Sequence, residues 1–228
     1  MTIPEKELLK ALKNHLTPQR VKRIEEVAAQ RTRKICLVLE DIRQEHNAGA
    51  LLRTADILGI QDVHLVSQQY EPKLAEAISK GSINWVSLHR YQARDEDNLQ
   101  QCLQVLKGQN YQLIVADPEG KVALPDLQHN GEPLALLMGS EWEGVSEQAK
   151  EAADIRVRIP QYGFTQSFNV SVAAALILQQ LNASLRRSGT DWQLAEDERI
   201  ALELEWTMKR LGDSAWPLRE KIEKDWKE

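Results

Sequence analysis

Cysteine is scarce. The chain has two in 228 residues, Cys36 and Cys102, far apart and in no metal-ligand spacing. Both lie in or beside apolar runs, so they are expected as buried free thiols. No apolar stretch approaches the ~20 residues needed to cross a bilayer. The first residues, "MTIPEKELLKALKNHL", are charged and lack the apolar centre of a signal peptide. With no export signal, the two N-x-S sequons at Asn169 and Asn182 carry no glycosylation meaning, and a cytoplasmic protein is expected. Repeats and low-complexity linkers are absent too. What remains, 42% apolar and 28% charged residues, is ordinary for a globular chain of one large domain or one domain with added helices.

The net charge of −5 argues weakly against a nucleic-acid partner, but the charges are unevenly placed. Between Lys10 and Lys34 stand eight Lys or Arg against Glu25 and Glu26, whereas the last fifty residues are rich in acid. That pattern reads either as a basic arm on a neutral-to-acidic body or as a solvated helix face.

Two helices open the chain. "PEKELLKALKNHL" sets Leu8, Leu9, Leu12 and Leu16 at helical spacing, and "TPQRVKRIEEVAAQR" begins with Thr17 as N-cap and Pro18 in the first turn. From Ile35 onward, short β-rich runs alternate with helical segments. They are "KICLVLED", "DVHLVS", "NWVSLHRY", "YQLIVAD", "PLALLMGS" and "IRVRIP" against "NAGALLRTADILGI", "KLAEAISKG", "DNLQQCLQVLKGQ", "SEQAKEAA" and "NVSVAAALILQQLNASLRR". Such alternation predicts an α/β fold with a mostly parallel sheet and helices on both faces. Ligands of such sheets bind beyond the carboxyl ends of the strands, here after Glu40, Ala116, Met138 and Ile159. Two further helices follow in residues 195–226. The division expected is 1–34 as a basic helical extension, 35–187 as the main domain and 188–228 as a C-terminal helical extension. The six tryptophans read as core or interface residues in preference to base-stacking ones.

Three of the loops after strands carry unusual residues. In "EDIRQEHNAGALLRTADILG", Asn47 and Arg53 lie near the start of a helix, and Arg53 alone reads as a surface arginine. "LLMGSEWEGVSE" spaces two glycines like a phosphate loop. It has Val145 where that loop needs lysine, and it holds Glu141 and Glu143, which would repel a triphosphate. Its bland reading is a turn in which Ser146 caps the next helix. "IPQYGFTQSFNVSVAAALIL" runs irregularly from Pro160 into a helix apolar on nearly every side, which is expected to be buried. Ser167 and Asn169 at its entrance are either caps or ligand-binding groups.

Taken together and in this order, the three loops resemble the SPOUT superfamily of RNA methyltransferases, in particular TrmH-type ribose 2′-O-methyltransferases. The matching patterns are N-x-x-x-x-x-R from Asn47, G-x-E-x-x-G-[VLM]-S from Gly139 and I-P-x-x-G-x-x-x-S-[LF]-N-V-S-V-A from Ile159. The likeness runs from about residue 17 to 187 and includes "SKGSINWVSLHRY". It implies an α/β knot fold, with a C-terminal trefoil knot forming the pocket for S-adenosyl-L-methionine, and a homodimer. A loop binding a cationic sulfonium tolerates carboxylates where a triphosphate loop would not.

The resemblance also implies roles for residues. Arg53 is the central catalytic residue, with Asn47, Glu141, Ser167 and Asn169 completing the set. A guanidinium is effectively always charged, so holding a phosphate and stabilising an alkoxide suit Arg53 better than proton abstraction. Ala116 (Asp117 if the register slips by one), Gly139, Ile159 and Phe168 match the cofactor positions. Many members carry Thr near Ala116 and Leu at Phe168. Arg20, Arg23 and Arg31 match basic positions of tRNA-binding members, and Lys22 is an added candidate. The expected substrate is tRNA, most simply guanosine 18 of the D-loop. Only about thirty-four residues precede the first strand, where members acting on ribosomal RNA usually carry a separate domain. Ribosomal RNA, another tRNA position and a non-catalytic RNA-binding scaffold of the same fold stay open. No metal and no membrane are expected.

Overall fold

The computed structural model describes residues 3–69, 81–165 and 167–226. In chain order the elements begin with α1 (Glu5–Lys13), α2 (Pro18–Ala28), β1 (Ile35–Glu40), α3 (Glu45–Ile57), β2 (Asp62–Val66) and β3 (Ser87–Tyr91). Then come α4 (Asn98–Gly108), β4 (Gln112–Ala116), β5 (Val122–Ala123), β6 (Leu134–Met138) and α5 (Glu147–Ala152). The last are β7 (Ile155–Arg158), α6 (Val170–Arg187), α7 (Glu196–Leu211) and α8 (Ala215–Asp225). The helix expected over residues 73–81 lies, apart from Gly81, outside the described residues. The two-residue strand β5 had no counterpart in the sequence reading, because a strand so short has no period. By spatial clustering the chain divides into residues 32–192 and a second unit of residues 1–31 with 193–228.

Among the described residues of the larger unit, seven strands run parallel in the order β3-β2-β1-β6-β4-β7-β5. Successive residues of a strand face opposite sides, and β1 shows the result. Ile35, Leu37 and Leu39 join a core with α3 and α6, while Cys36 and Val38 join another with α4 and α5. Both cysteines are free and buried, as expected. Strands apolar on both faces and covered by helices on both explain why β1 and β6 are buried throughout.

The smaller unit joins α1 and α2 to α7 and α8. Leu8, Leu9 and Leu12 of α1 are buried with Leu204 of α7, and Ile200, Met208, Leu218 and Ile222 pack around them. Thr17 caps α2 through Arg20 N–H, with Pro18 in the first turn. The basic segment is less free than its composition suggests. Lys13 is held between Glu25 at 2.7 Å and Glu203 at 2.6 Å. Arg31 is buried, 1% exposed, with its guanidinium 5.1 Å over the ring of Trp206. That corrects its assignment as an RNA contact, since a buried guanidinium stacked on indole presents no charge to a phosphate. Arg20, Lys22 and Arg23 are exposed on α2, and Lys22 lies 3.8 Å from Glu26.

The expectation that the apolar helix is buried on nearly every side is also corrected. Helix α6 buries Val170, Ala174, Ile177, Leu178, Leu181 and Leu185 but leaves Val172 and Leu176 exposed on its other side. Of the six tryptophans only Trp206 is buried, and Trp142, Trp216 and Trp226 are exposed.

On the β2–β3 side of the sheet, the imidazole of His64 lies buried and stacked 4.5 Å from that of His89. Tyr91 Oη is 3.1 Å from His64 Nδ1, and Asp62 joins His89 and Arg33, each at 2.9 Å. Burial, then the charge of His89, pushes His64 from 6.5 down to about 4, against the opposing pull of Asp62. The unfolded chain therefore takes up this proton first as pH falls. Stability should be full above pH ~6.5 and decline by about 3 kcal/mol toward pH ~4. Urea unfolding across that window should show the decline, and His64→Gln should remove that part of it. An equal slope in the variant would contradict the assignment.

Candidate active site

The strand order brings the expected site residues to one end of the sheet. Strands β6, β4 and β7 are neighbours, with Val115 of β4 opposite Leu137 of β6, and Ala116 opposite Val157 of β7. Ala116 ends β4, Gly139 follows β6 and Ile159 follows β7, so three of the four expected cofactor positions sit at adjacent carboxyl ends. The fourth, Phe168, is 43% exposed just before α6.

Each loop has a local reason for its path. A Cβ on Gly139 would lie 1.9 Å from the Gly144 carbonyl oxygen, so only glycine lets the two limbs of this loop cross. Gly144 has φ of +71°, a left-handed conformation that turns the chain back, and Ser140 and Gly144 form a bridge. The turn then enters α5, where the Ser146 side chain accepts from Ala149 N–H. Ser146 N–H donates in turn to Glu40 at the end of β1, at 3.1 Å. The capping reading of Ser146 is thus correct, and it coexists with a separate task for Glu141.

Glu141 reaches across to the first loop. Its carboxylate accepts from Asn47 Nδ2 at 2.7 Å and from the backbone N–H groups of Arg43 and Gln44, each at 3.2 Å. Burial alone would push its carboxyl up. The hydrogen bonds from Asn47 and from the Arg43 and Gln44 backbone outweigh burial and hold the group below the usual carboxylate range. Glu143 forms an ion pair with Arg43 at 3.1 Å. Neither carboxylate of this loop is left to repel a ligand unopposed.

The third loop arrives at the same point. Asn169 caps α6, its Oδ1 accepting from Ser171 N–H at 2.9 Å, while its Nδ2 donates to Asn47 Oδ1 at 3.1 Å. One side-chain amide, that of Asn47, therefore ties residues 94 and 122 positions away. Asn47 is itself 7% exposed. The structure thus brings Asn47, Glu141 and Asn169 together.

It does not tie Arg53 or Ser167 to them. Arg53 lies six residues beyond Asn47 on α3, which on a helix is about 9 Å along the axis and ~120° around it. It is exposed and makes no hydrogen bond or ion pair among the described residues. Ser167 is exposed as well. Sequence reasoning missed Arg43 and Gln44, whose backbone N–H groups hold Glu141. Backbone donors leave no mark on residue type, so adjacency to Asn47 was their sole signal. It offered Asp117 only as a slipped register. Asp117 is buried at the end of β4 and paired with Arg156 of β7, tying two strand ends that flank the cofactor positions.

Removing Glu141 leaves three donors without their acceptor. Glu141→Ala should cost about 2 kcal/mol of stability and Glu141→Gln less, because the amide keeps one acceptor oxygen. Urea unfolding measures both; equal stability of all three proteins would show that the junction holds nothing.

The profile of the SpoU rRNA Methylase family matches residues 34–179. A tRNA (guanosine(18)-2′-O)-methyltransferase of Borreliella burgdorferi is 36% identical over 196 residues, covering 86% of this chain and 87% of that protein. A protein of the same description from Thermus thermophilus is 34% identical over 174 residues, covering 76% of this chain and 87% of its own length. The crystal structure of a TrmH/SpoU tRNA modifying enzyme of A. aeolicus superposes with a TM-score of 0.74 at 29% identity. It covers 85% of this chain and 97% of that one. The family match takes in all three loops and the strands that carry them, and the chain belongs to the SpoU rRNA methylase family.

Proposed function

We propose that this chain is a cytoplasmic tRNA methyltransferase that moves a methyl group from S-adenosyl-L-methionine to a ribose 2′-hydroxyl, that of guanosine 18 in the D-loop. The observation that carries this reading is the joining of Asn47, Glu141 and Asn169 beside three strand ends. The names of the relatives support the choice of tRNA and of the nucleotide.

The residues present suit the cofactor. Ala116, Gly139 and Ile159 offer backbone groups at adjacent strand ends, and Phe168 offers an apolar face. When bound, the cofactor supplies an electrophilic methyl group on a sulfonium. The chain has two tasks left: alignment of the hydroxyl and management of its proton. Holding reacting atoms in line contributes up to roughly 7–11 kcal/mol. The Asn47 junction fixes the backbone that frames the ribose. Arg53, exposed and uncommitted among the described residues, is free to hold a substrate phosphate bidentately and to stabilise negative charge developing on O2′. Ser167 is assigned to orient the ribose or the cofactor tail on the motif position it matches.

The same reading includes a C-terminal trefoil knot and a homodimer. A Cβ on Gly120 would come within 2.6 Å of the Arg156 carbonyl oxygen, so the β4–β5 loop lies tightly against β7. Val172 and Leu176, four residues apart on α6, form an exposed apolar patch that a second copy would cover. Residues 1–34 serve as the basic RNA-binding extension, 35–187 as the catalytic domain and 188–228 as a helical extension. Arg20 and Arg23, with Lys22, engage backbone phosphates.

The direct test is mass-spectrometric mapping of methylated nucleotides after incubating total tRNA and ribosomal RNA with the purified protein. A 2′-O-methylguanosine in the D-loop of tRNA is expected; methylation confined to ribosomal RNA, or none, would overturn the proposal. Arg53→Ala should lower methyl transfer about 100-fold or more while leaving cofactor affinity nearly intact. Unchanged turnover removes Arg53 from the mechanism. Arg20→Ala with Arg23→Ala should weaken tRNA binding and lower the salt slope by roughly one per residue. An unchanged low-salt affinity would exclude α2 from the contact.

A further inference from the structure

The two loops that meet at Asn47 also carry large aromatic side chains that touch almost nothing. Trp142, directly after Glu141, is 78% exposed, Tyr162 is 97% exposed and Phe164 is 108% exposed. Trp142 is one Cα step, about 3.8 Å, from the Glu141 that binds Asn47. Phe164 is five residues from Asn169, a tether of at most about 18 Å. None of the three helps to hold the fold together, since each is left in water where burial would stabilise it.

Resting on the proposed function, we infer that Trp142 and Phe164 form an aromatic clamp that takes the base of the target nucleotide, stacking on it while its ribose sits at the Asn47 junction. A ribose can reach a buried junction only if its nucleotide leaves the stack, and its base then needs an apolar surface close by. The loop's charges decide which part of the nucleotide goes where. Glu141 is occupied by Asn47 and by the Arg43 and Gln44 N–H groups, and Glu143 pairs with the Arg43 guanidinium, so the loop tip offers a phosphate no uncommitted cation and leaves the aromatic face for an uncharged base. The phosphate goes instead to Arg53. Hydrogen-bonding groups at the junction are already engaged with one another: Asn47 with Glu141 and Asn169, and Asn169 with Ser171. Stacking, which needs only a π-face, is therefore the contact these loops offer the base. Tyr162, two residues before Phe164, extends the same surface.

The test pairs protein variants with a tRNA that carries either guanosine or an abasic ribose, 2′-hydroxyl retained, at the position the wild-type enzyme methylates. Wild-type methylation is measured first, and its absence refutes the proposed function itself. On guanosine tRNA, Trp142→Ala and Phe164→Ala should each lower kcat/KM by roughly tenfold, and Trp142→Phe should retain most of the activity. On abasic tRNA the alanine variants and the wild type should agree within about twofold in rate, or in affinity where turnover is too slow to read. Melting temperature, calorimetric affinity for S-adenosyl-L-methionine and mass by light scattering should not move. Equal losses on both tRNAs, or no loss on either, would overturn the clamp. So would a fall in cofactor affinity, which makes these residues part of the cofactor pocket, or a change of mass, which makes them an interface between copies.

Discussion

A single carboxamide joins three loops at one end of the sheet. Asn47 donates from Nδ2 to Glu141 and to Gln44 Oε1, and its Oδ1 accepts from Asn169 Nδ2, so both ends of one side chain are used. The direction is dictated by the partners. A carboxylate only accepts, so the nitrogen of Asn47 must face Glu141, which leaves the oxygen for the amide of Asn169. Aspartate in its place would set two carboxylates against each other, and serine could not reach both partners. Glu141 in turn stays charged because three donors, two of them backbone N–H groups, outweigh its burial.

The rest of the larger unit can be understood as the frame for that contact. Parallel strands carry their loops to the same end, and the order β1-β6-β4-β7 sets the first, second and third loops beside each other although they are far apart along the chain. The crossing at Gly139 and the left-handed turn at Gly144 fold the second loop tightly enough for Glu141 to reach the first. Ser146 ends that loop with two bonds, accepting from Ala149 as a helix cap and donating to Glu40 at the tip of β1. Asn169 has two tasks as well, capping α6 and holding Asn47. A residue with a helix-starting role thus also ties one loop to another, so the capping reading of Asn169 is correct and leaves its amide nitrogen for Asn47.

Much of this was legible in the sequence, and what was not has physical causes. Apolar runs of five or six residues bounded by helical segments identified β1, β4 and β6, because a doubly covered sheet needs strands apolar on both faces. Thr17 and Pro18 marked the start of α2 correctly. Composition misled where a charge finds a partner within the protein. Arg31 and Lys13 contribute to the basic segment as letters, yet one is buried on Trp206 and the other neutralised by two glutamates. Apolar content misled in the opposite sense for α6, whose Val172 and Leu176 are not covered by their own chain. Exposure of Trp142 could not be read from residue type, and the close approach at Gly139 depends on a backbone crossing that no local pattern encodes.

We propose that the Asn47–Asn169 amide bond, and neither residue alone, sets the geometry for methyl transfer. A double-mutant cycle of Asn47→Ala and Asn169→Ala, read by single-turnover transfer of the methyl group to tRNA, isolates that bond. Strong non-additivity is expected, with the double variant little slower than the slower single one, a coupling of about 0.5–3 kcal/mol. Losses that simply add would show two independent residues and contradict it.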